Sequence, residues 1–297
     1  MDTLPRMLVF VFLISAMLGV GMQTTAGDLR SLLQARGFLV RCLIANFVVV
    51  PIVGVVMAST LPLRPEAATA LLLLACTPGG LSALQFATRL KGASLFAASS
   101  ALVMTLVAVF LSPVLLAVVH PGNISVKIPY GRALAFVAVF LLLPLLAGMF
   151  VRSRKERLAK TVSKLCAVLG AITFVLVVIL VMAFRKDAMN NVGKEAVVCM
   201  LLFVMVSMTV GWLLGGPAKE TRAVLATVTG MRHVALCLLI ALETFPDQSV
   251  QTPLVAFSAL MLPPSLLLTA YMLVRDRLAK KSDVSAQTAL QISGRSR

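Results

Sequence analysis

Long apolar runs separated by short clusters of charge set the pattern of this chain. A helix needs roughly 20 apolar residues to cross the hydrocarbon layer of a bilayer. On that rule the pattern predicts spans near residues 7–24, 37–60, 66–89, 94–119, 131–151, 162–184, 196–214, 221–242 and 251–274. The expected fold class is therefore an all-α membrane protein with nine transmembrane helices. The first run starts at Met7 without a basic leader region or a cleavage site, so it reads as a first span and not a removable signal peptide. Beyond Arg277 the apolar pattern stops, and 278–297 is expected to be a disordered, solvated tail.

Composition agrees with lipid as the solvent. The 297 residues are 60% hydrophobic and 13% charged, more apolar surface than one soluble core of this length could hide. A net charge of +16 on its own points toward nucleic acid. Here the basic residues cap apolar runs, which is the positive-inside pattern and argues against a nucleic-acid partner. One side of the membrane collects Arg30, Arg36, Arg41, Arg89, Lys91, the cluster from Arg152 to Lys164, Lys219, Arg222 and the basic tail. The other side holds the smaller set, Arg6, Arg64, Lys127, Arg132, Arg185, Lys186 and Lys194. This bias predicts an external N-terminus and a cytoplasmic C-terminus in a cell (plasma or inner) membrane. Cys42, Cys76, Cys166, Cys199 and Cys237 all lie in apolar runs without metal-ligand spacing, so no metal or disulfide framework is expected.

Two predicted spans carry breakers or charge. The third reads Cys76-Thr77-Pro78-Gly79-Gly80-Leu81-Ser82, where proline deletes a backbone donor and the glycines loosen the next turn. Peptide groups freed there must face protein or a wet cavity, because lipid offers them nothing. The competing reading is a simple packed kink. The eighth span holds Thr227-Val228-Thr229-Gly230-Met231-Arg232-His233, with a cation halfway along. Such an arginine costs about +2.5 kcal/mol or more at the bilayer centre and normally faces a partner inside the bundle. The alternative is that it snorkels to an interface. Residues 37–119 and 196–274 each contain a plain span, an interrupted span and a proline-bearing span. Three spans per unit makes the second unit inverted, the arrangement that marks the midplane site of alternating-access carriers.

These residues resemble the bile acid:sodium symporter family over nearly the whole chain. The resemblance rests on Cys76 to Gly80, the Ser112-Pro113 helix end, Asn46-Phe47 with Pro51, Leu143-Pro144-Leu145-Leu146, and Thr229-Gly230-Met231. It implies a core domain of 37–119 and 196–274 with two broken, crossing helices. It also implies a panel of 7–24, 131–151 and 162–184, with substrate bound between the two. Pro78, Gly79, Gly80 and Gly230 would make the breaks, and Arg232, His233, Thr229, Asn46, Ser82, Gln85, Gly79 and Gly80 form the candidate substrate or ion site. The sequence departs from the sodium-coupled pattern at Leu81 to Leu84, at Ala97 and Ala101, and at Val228, Arg232 and His233. There the relatives supply hydroxyls, amides and a carboxylate. A hard cation wants several oxygens, one of them preferably anionic. Their loss, with a fixed positive charge inserted, argues against sodium coupling.

The expected function is secondary active transport of small organic anions, with no cofactor and no enzymatic activity. Arg232 would replace the missing cations or pair with a substrate carboxylate, and His233 could add a proton-linked step or be a satisfied interior histidine. The alternatives are a sodium-coupled bile-acid-type symporter, and a carrier of arsenite or other acids using Cys76. More remote is an intramembrane protease using Ser82 with His233 as its base. A channel finds no filter-like ring of carbonyls or acids.

Overall fold

The computed structural model describes residues 3–25, 34–79, 94–119, 138–184, 192–244 and 250–268, with isolated helical positions at 27, 30, 131, 135, 270, 271, 274 and 275. Every regular element among them is helical. The order is α1 (Thr3–Gly21), α2 (Arg36–Thr60), α3 (Pro65–Cys76), α4 (Ser94–Val119), α5 (Leu143–Arg154) and α6 (Glu156–Phe184). Then follow α7 (Lys194–Leu214), α8 (Lys219–Gly230), α9 (Val234–Thr244) and α10 (Gln251–Leu268). Among the described residues, four segments are long and apolar enough to cross a membrane, namely α2, α6 from Glu156 to Val177, α7 and α10. α6 starts six residues before the predicted span, because the basic cluster continues the helix instead of ending it.

Two helices carry a widened turn for a stated reason. A π-type turn at Ala45–Val49 precedes Pro51 in α2, and a second at Ala138–Leu142 precedes Pro144 at the head of α5. A proline ring collides with the carbonyl four residues back and cannot donate to it. Adding one residue to the turn moves that carbonyl away without ending the helix.

Helix faces separate cleanly. On α2, Val40, Ile44, Val48, Ile52 and Val56 recur every four residues and are exposed to the surrounding medium. Cys42, Ala45, Asn46, Val50 and Gly54 face inward. In contrast, α3, α8 and α9 are buried nearly all round from Ala67 to Cys76, from Ala223 to Gly230 and from Leu236 to Leu242. Such helices are encased by others, not laid against lipid.

α1 packs against α5 and α6, while α7 lies along α8, α2 along α3, and α10 against α3 and α9. Without a hydrophobic drive between helices in lipid, close approach depends on small side chains. A Cβ added to Gly21 would fall on the Leu145 carbonyl of α5, and one added to Gly148 on the Leu18 carbonyl of α1. Both obstacles are backbone and cannot rotate aside. Gly148→Ala is therefore expected to destabilise the protein by about 1–3 kcal/mol, read as a lowered melting midpoint in detergent. A Cβ at Gly37 meets nothing within 4 Å, so Gly37→Ala is the neutral control.

Candidate functional site

The second interruption is visible in full. α8 ends at Gly230, Met231 turns to extended geometry (φ −96°, ψ 113°), and α9 begins at Val234. The halves contain 12 and 11 residues, about 18 and 16 Å of helix, each too short to cross the roughly 30 Å hydrocarbon layer alone. The junction therefore belongs at mid-depth. At the first interruption α3 ends at Cys76, and Thr77 is extended at φ −110° and ψ 100°. Gly80, Ser82 and Gln85 lie outside the described residues.

The two interruptions touch. A Cβ at Gly79 would collide with the carbonyl oxygens of Val228 and Met231. Glycine is required there because the strand of chain after Pro78 rests directly on the freed carbonyls of the other break. Thr77 adds a second contact, its Oγ1 lying 2.7 Å from Cys237 Sγ on α9. That hydroxyl also reaches the Leu73 carbonyl at 2.8 Å, so the thiol can donate to Thr77 while the hydroxyl donates backward. Gly230 and Gly211 let α7 and α8 close on each other, against Met208 and Thr229 respectively.

Arg232 sits at this junction and is 1% exposed. It does not snorkel. Its Nη1 donates to Asn46 Oδ1 at 3.4 Å, across 186 positions of sequence. The guanidinium carbon lies 5.7 Å from the Phe203 ring centroid on α7, within range of a cation–π attraction. The backbone N–H points to Met261 Sδ at 3.4 Å on α10. Nε and Nη2 have no hydrogen-bond partner among the described residues, and no Asp or Glu pairs with the charge there. Asn46 itself is fixed by Nδ2 donating to the Cys42 carbonyl at 3.0 Å, inside the widened turn before Pro51. Its oxygen is thereby turned toward the guanidinium.

His233 is half satisfied. Its Nδ1 accepts the Leu236 N–H at 3.2 Å, capping the first turn of α9. The neutral ring then carries its proton on Nε2, which is buried and without a partner among the described residues. Thr229 is brought near the break, and its hydroxyl donates back to the Leu225 carbonyl at 2.9 Å. Sequence reasoning missed Phe203, Cys237 and Met261. Each is an ordinary apolar position in its own helix, and nothing in one dimension says which apolar residues face a distant cation.

The chemistry follows from that inventory. Arg232 Nε and Nη2 and His233 Nε2 are donors, and the described surroundings offer them almost no acceptors. Groups of three or more His, Cys, Asp or Glu placed to hold a metal ion are absent among the described residues. All five cysteines are free thiols in buried positions.

Comparison with known proteins places this architecture. The profile of the sodium bile acid symporter family matches residues 10–195. A probable sodium/metabolite cotransporter of chloroplasts from Arabidopsis thaliana is 26% identical over 241 residues, covering 80% of this chain and 59% of the plant protein. The ileal sodium/bile acid cotransporter of Oryctolagus cuniculus is 27% identical over 216 residues, 70% of this chain and 61% of its own length. The human hepatic sodium/bile acid cotransporter is 25% identical over 249 residues, with 79% and 69% covered. The match thus spans about three-fifths of the length of the first two relatives. All three are named as transporters, not enzymes. With a family profile laid over most of its length and helices built for a bilayer, this chain belongs to the sodium bile acid symporter family.

Proposed function

We propose that this protein is a secondary active transporter of small organic anions, working by alternating access and without the family's usual sodium sites. The observation that carries the reading is the buried Arg232 guanidinium at the junction of α8 and α9, with two nitrogens lacking a protein partner among the described residues. A charge kept at that depth costs stability, which selection tolerates where it performs a task. A carboxylate suits a guanidinium's planar fork. Sodium does not suit positions where Val228, Arg232 and His233 stand in place of the side-chain oxygens of the sodium-coupled pattern. Nine spans, six of them in two inverted three-span units, with α3 and its continuation crossing α8 and α9, are part of this proposal. So is a panel of 7–24, 131–151 and 162–184 against a core of 37–119 and 196–274. The packing of α1 chiefly against α5 and α6, with few contacts to α9, supports it.

The relatives' names point to a second reading, a sodium-coupled symporter. Uptake of a radiolabelled small carboxylate into proteoliposomes distinguishes the two. Equal initial rates in sodium and potassium are expected, and strict dependence on a sodium gradient would end the substitution by Arg232. An inward proton gradient is the third arm. With His233 Nδ1 committed to the α9 cap, a proton carried there must break that cap.

A further inference from the structure

α5 and α6 meet at a single non-helical residue, Lys155 (φ −141°, ψ 76°), in the middle of a basic cluster. Within 152–164 six cations face one acid. Glu156 is bound from both sides, by Arg152 at 3.3 Å and Lys160 at 2.8 Å. Arg154, Lys155, Arg157 and Lys164 have no acidic partner among the described residues and are exposed. Arg154 lies over the ring of exposed Phe150, 5.4 Å from its centroid.

One face of α6 says what meets this charge. Arg157, Lys160 and Lys164 follow helical spacing and are exposed, and the same stripe continues as exposed Val168, Ile172 and Val175. The opposite face, with Ala159, Ser163, Cys166 and Gly170, is buried and meets α1. From Leu165 to the end of α6 at Phe184 the helix rises about 30 Å, the thickness of the hydrocarbon layer. Lys164 therefore stands where the tails end, with Lys160 and Arg157 in the next roughly 10 Å, the depth of the headgroup layer.

We propose that this face of the α5–α6 hairpin binds anionic phospholipid. Its tails lie along Val168, Ile172 and Val175, and its phosphate is held by Arg157, Lys160 and Lys164. A cationic stripe running without interruption into an exposed aliphatic one fits an amphiphile with an anionic head. A free anion would leave the aliphatic half unused, and an acidic protein would not reach it. The proposal stands independently of the transport reading.

Native mass spectrometry of the purified full chain, offered phosphatidylglycerol and phosphatidylcholine together, tests it. Phosphatidylglycerol adducts should dominate, and raising ionic strength should remove that preference. In the R157Q/K160Q/K164Q variant, affinity for phosphatidylglycerol should fall on the order of a hundredfold, at about fivefold per lost charge. R157K/K160R/K164R should retain it. Where the glutamine variant does not fold, the salt titration of the unaltered chain decides. Equal retention of both lipids overturns the proposal, as does unchanged binding by the glutamine variant. So do equal protection by inorganic phosphate in a thermal melt, and a dimer that excludes lipid from this face.

Discussion

Arg232→Gln is expected to abolish uptake while leaving the folded protein intact. Truncating one member of a buried charge pair costs 2–5 kcal/mol or more, so substrate affinity should fall by roughly a hundredfold or beyond. Stability should move the other way or barely at all. The guanidinium is 1% exposed without a compensating acid among the described residues, so removing it relieves a desolvation cost of several kcal/mol. Against that stand one 3.4 Å bond to Asn46 and the contact with Phe203, together on the order of 1–2 kcal/mol. Initial rates in proteoliposomes and a melting curve in detergent check both halves. A variant that melts many degrees lower would make Arg232 a structural residue, and one that still transports would remove the proposed role altogether. Asn46→Ala should give a smaller loss of the same kind, since it frees the guanidinium without discharging it.

Gly79→Ala should damage stability and transport together. A methyl group at that position would enter the space of the Val228 and Met231 carbonyl oxygens. Backbone oxygens cannot swing away as a side chain would. Either the two interruptions separate or α8 shifts along α7, where Gly211 and Gly230 already allow no slack. Overpacking of this sort costs about 1–3 kcal/mol in ordinary cores, and the upper end is expected here. Paired with Gly37→Ala as control, a melting curve and an uptake rate separate the contact of the two breaks from a general intolerance of added methyl groups. An unaltered melting curve for Gly79→Ala would show that the breaks do not press on each other.

The helices were legible because each must satisfy its own backbone in lipid, which makes apolar length a local property. The break at Gly230 to His233 could be anticipated from a charge in an apolar run, and Pro78-Gly79 from residues that cannot continue a helix. Pro51 and Pro144 enter the sequence pattern only through the family resemblance, yet the widened turns before them follow from the proline ring itself. Other features had no local trace. That Asn46 and Arg232 would meet over 186 positions, or that Thr77 would reach Cys237, depends on how α2, α3 and α9 pack. Nor does the sequence show that the Thr229 hydroxyl donates back into its own helix, to the Leu225 carbonyl.

By itself the sequence determined the helical class, the membrane setting and the place where one span must fail, since these follow from hydropathy and from backbone chemistry within a few residues. Tertiary structure decided that the Arg232 charge is shut inside protein and not drawn to an interface, that His233 is tied to α9 through Nδ1, and that Gly79 lies on carbonyls of the other break. The first and third depend on contacts between segments more than a hundred residues apart, Arg232 with Asn46 and Gly79 with Val228 and Met231, whereas the His233 cap is local and is set by where α9 starts; side-chain burial is a property of the packed whole.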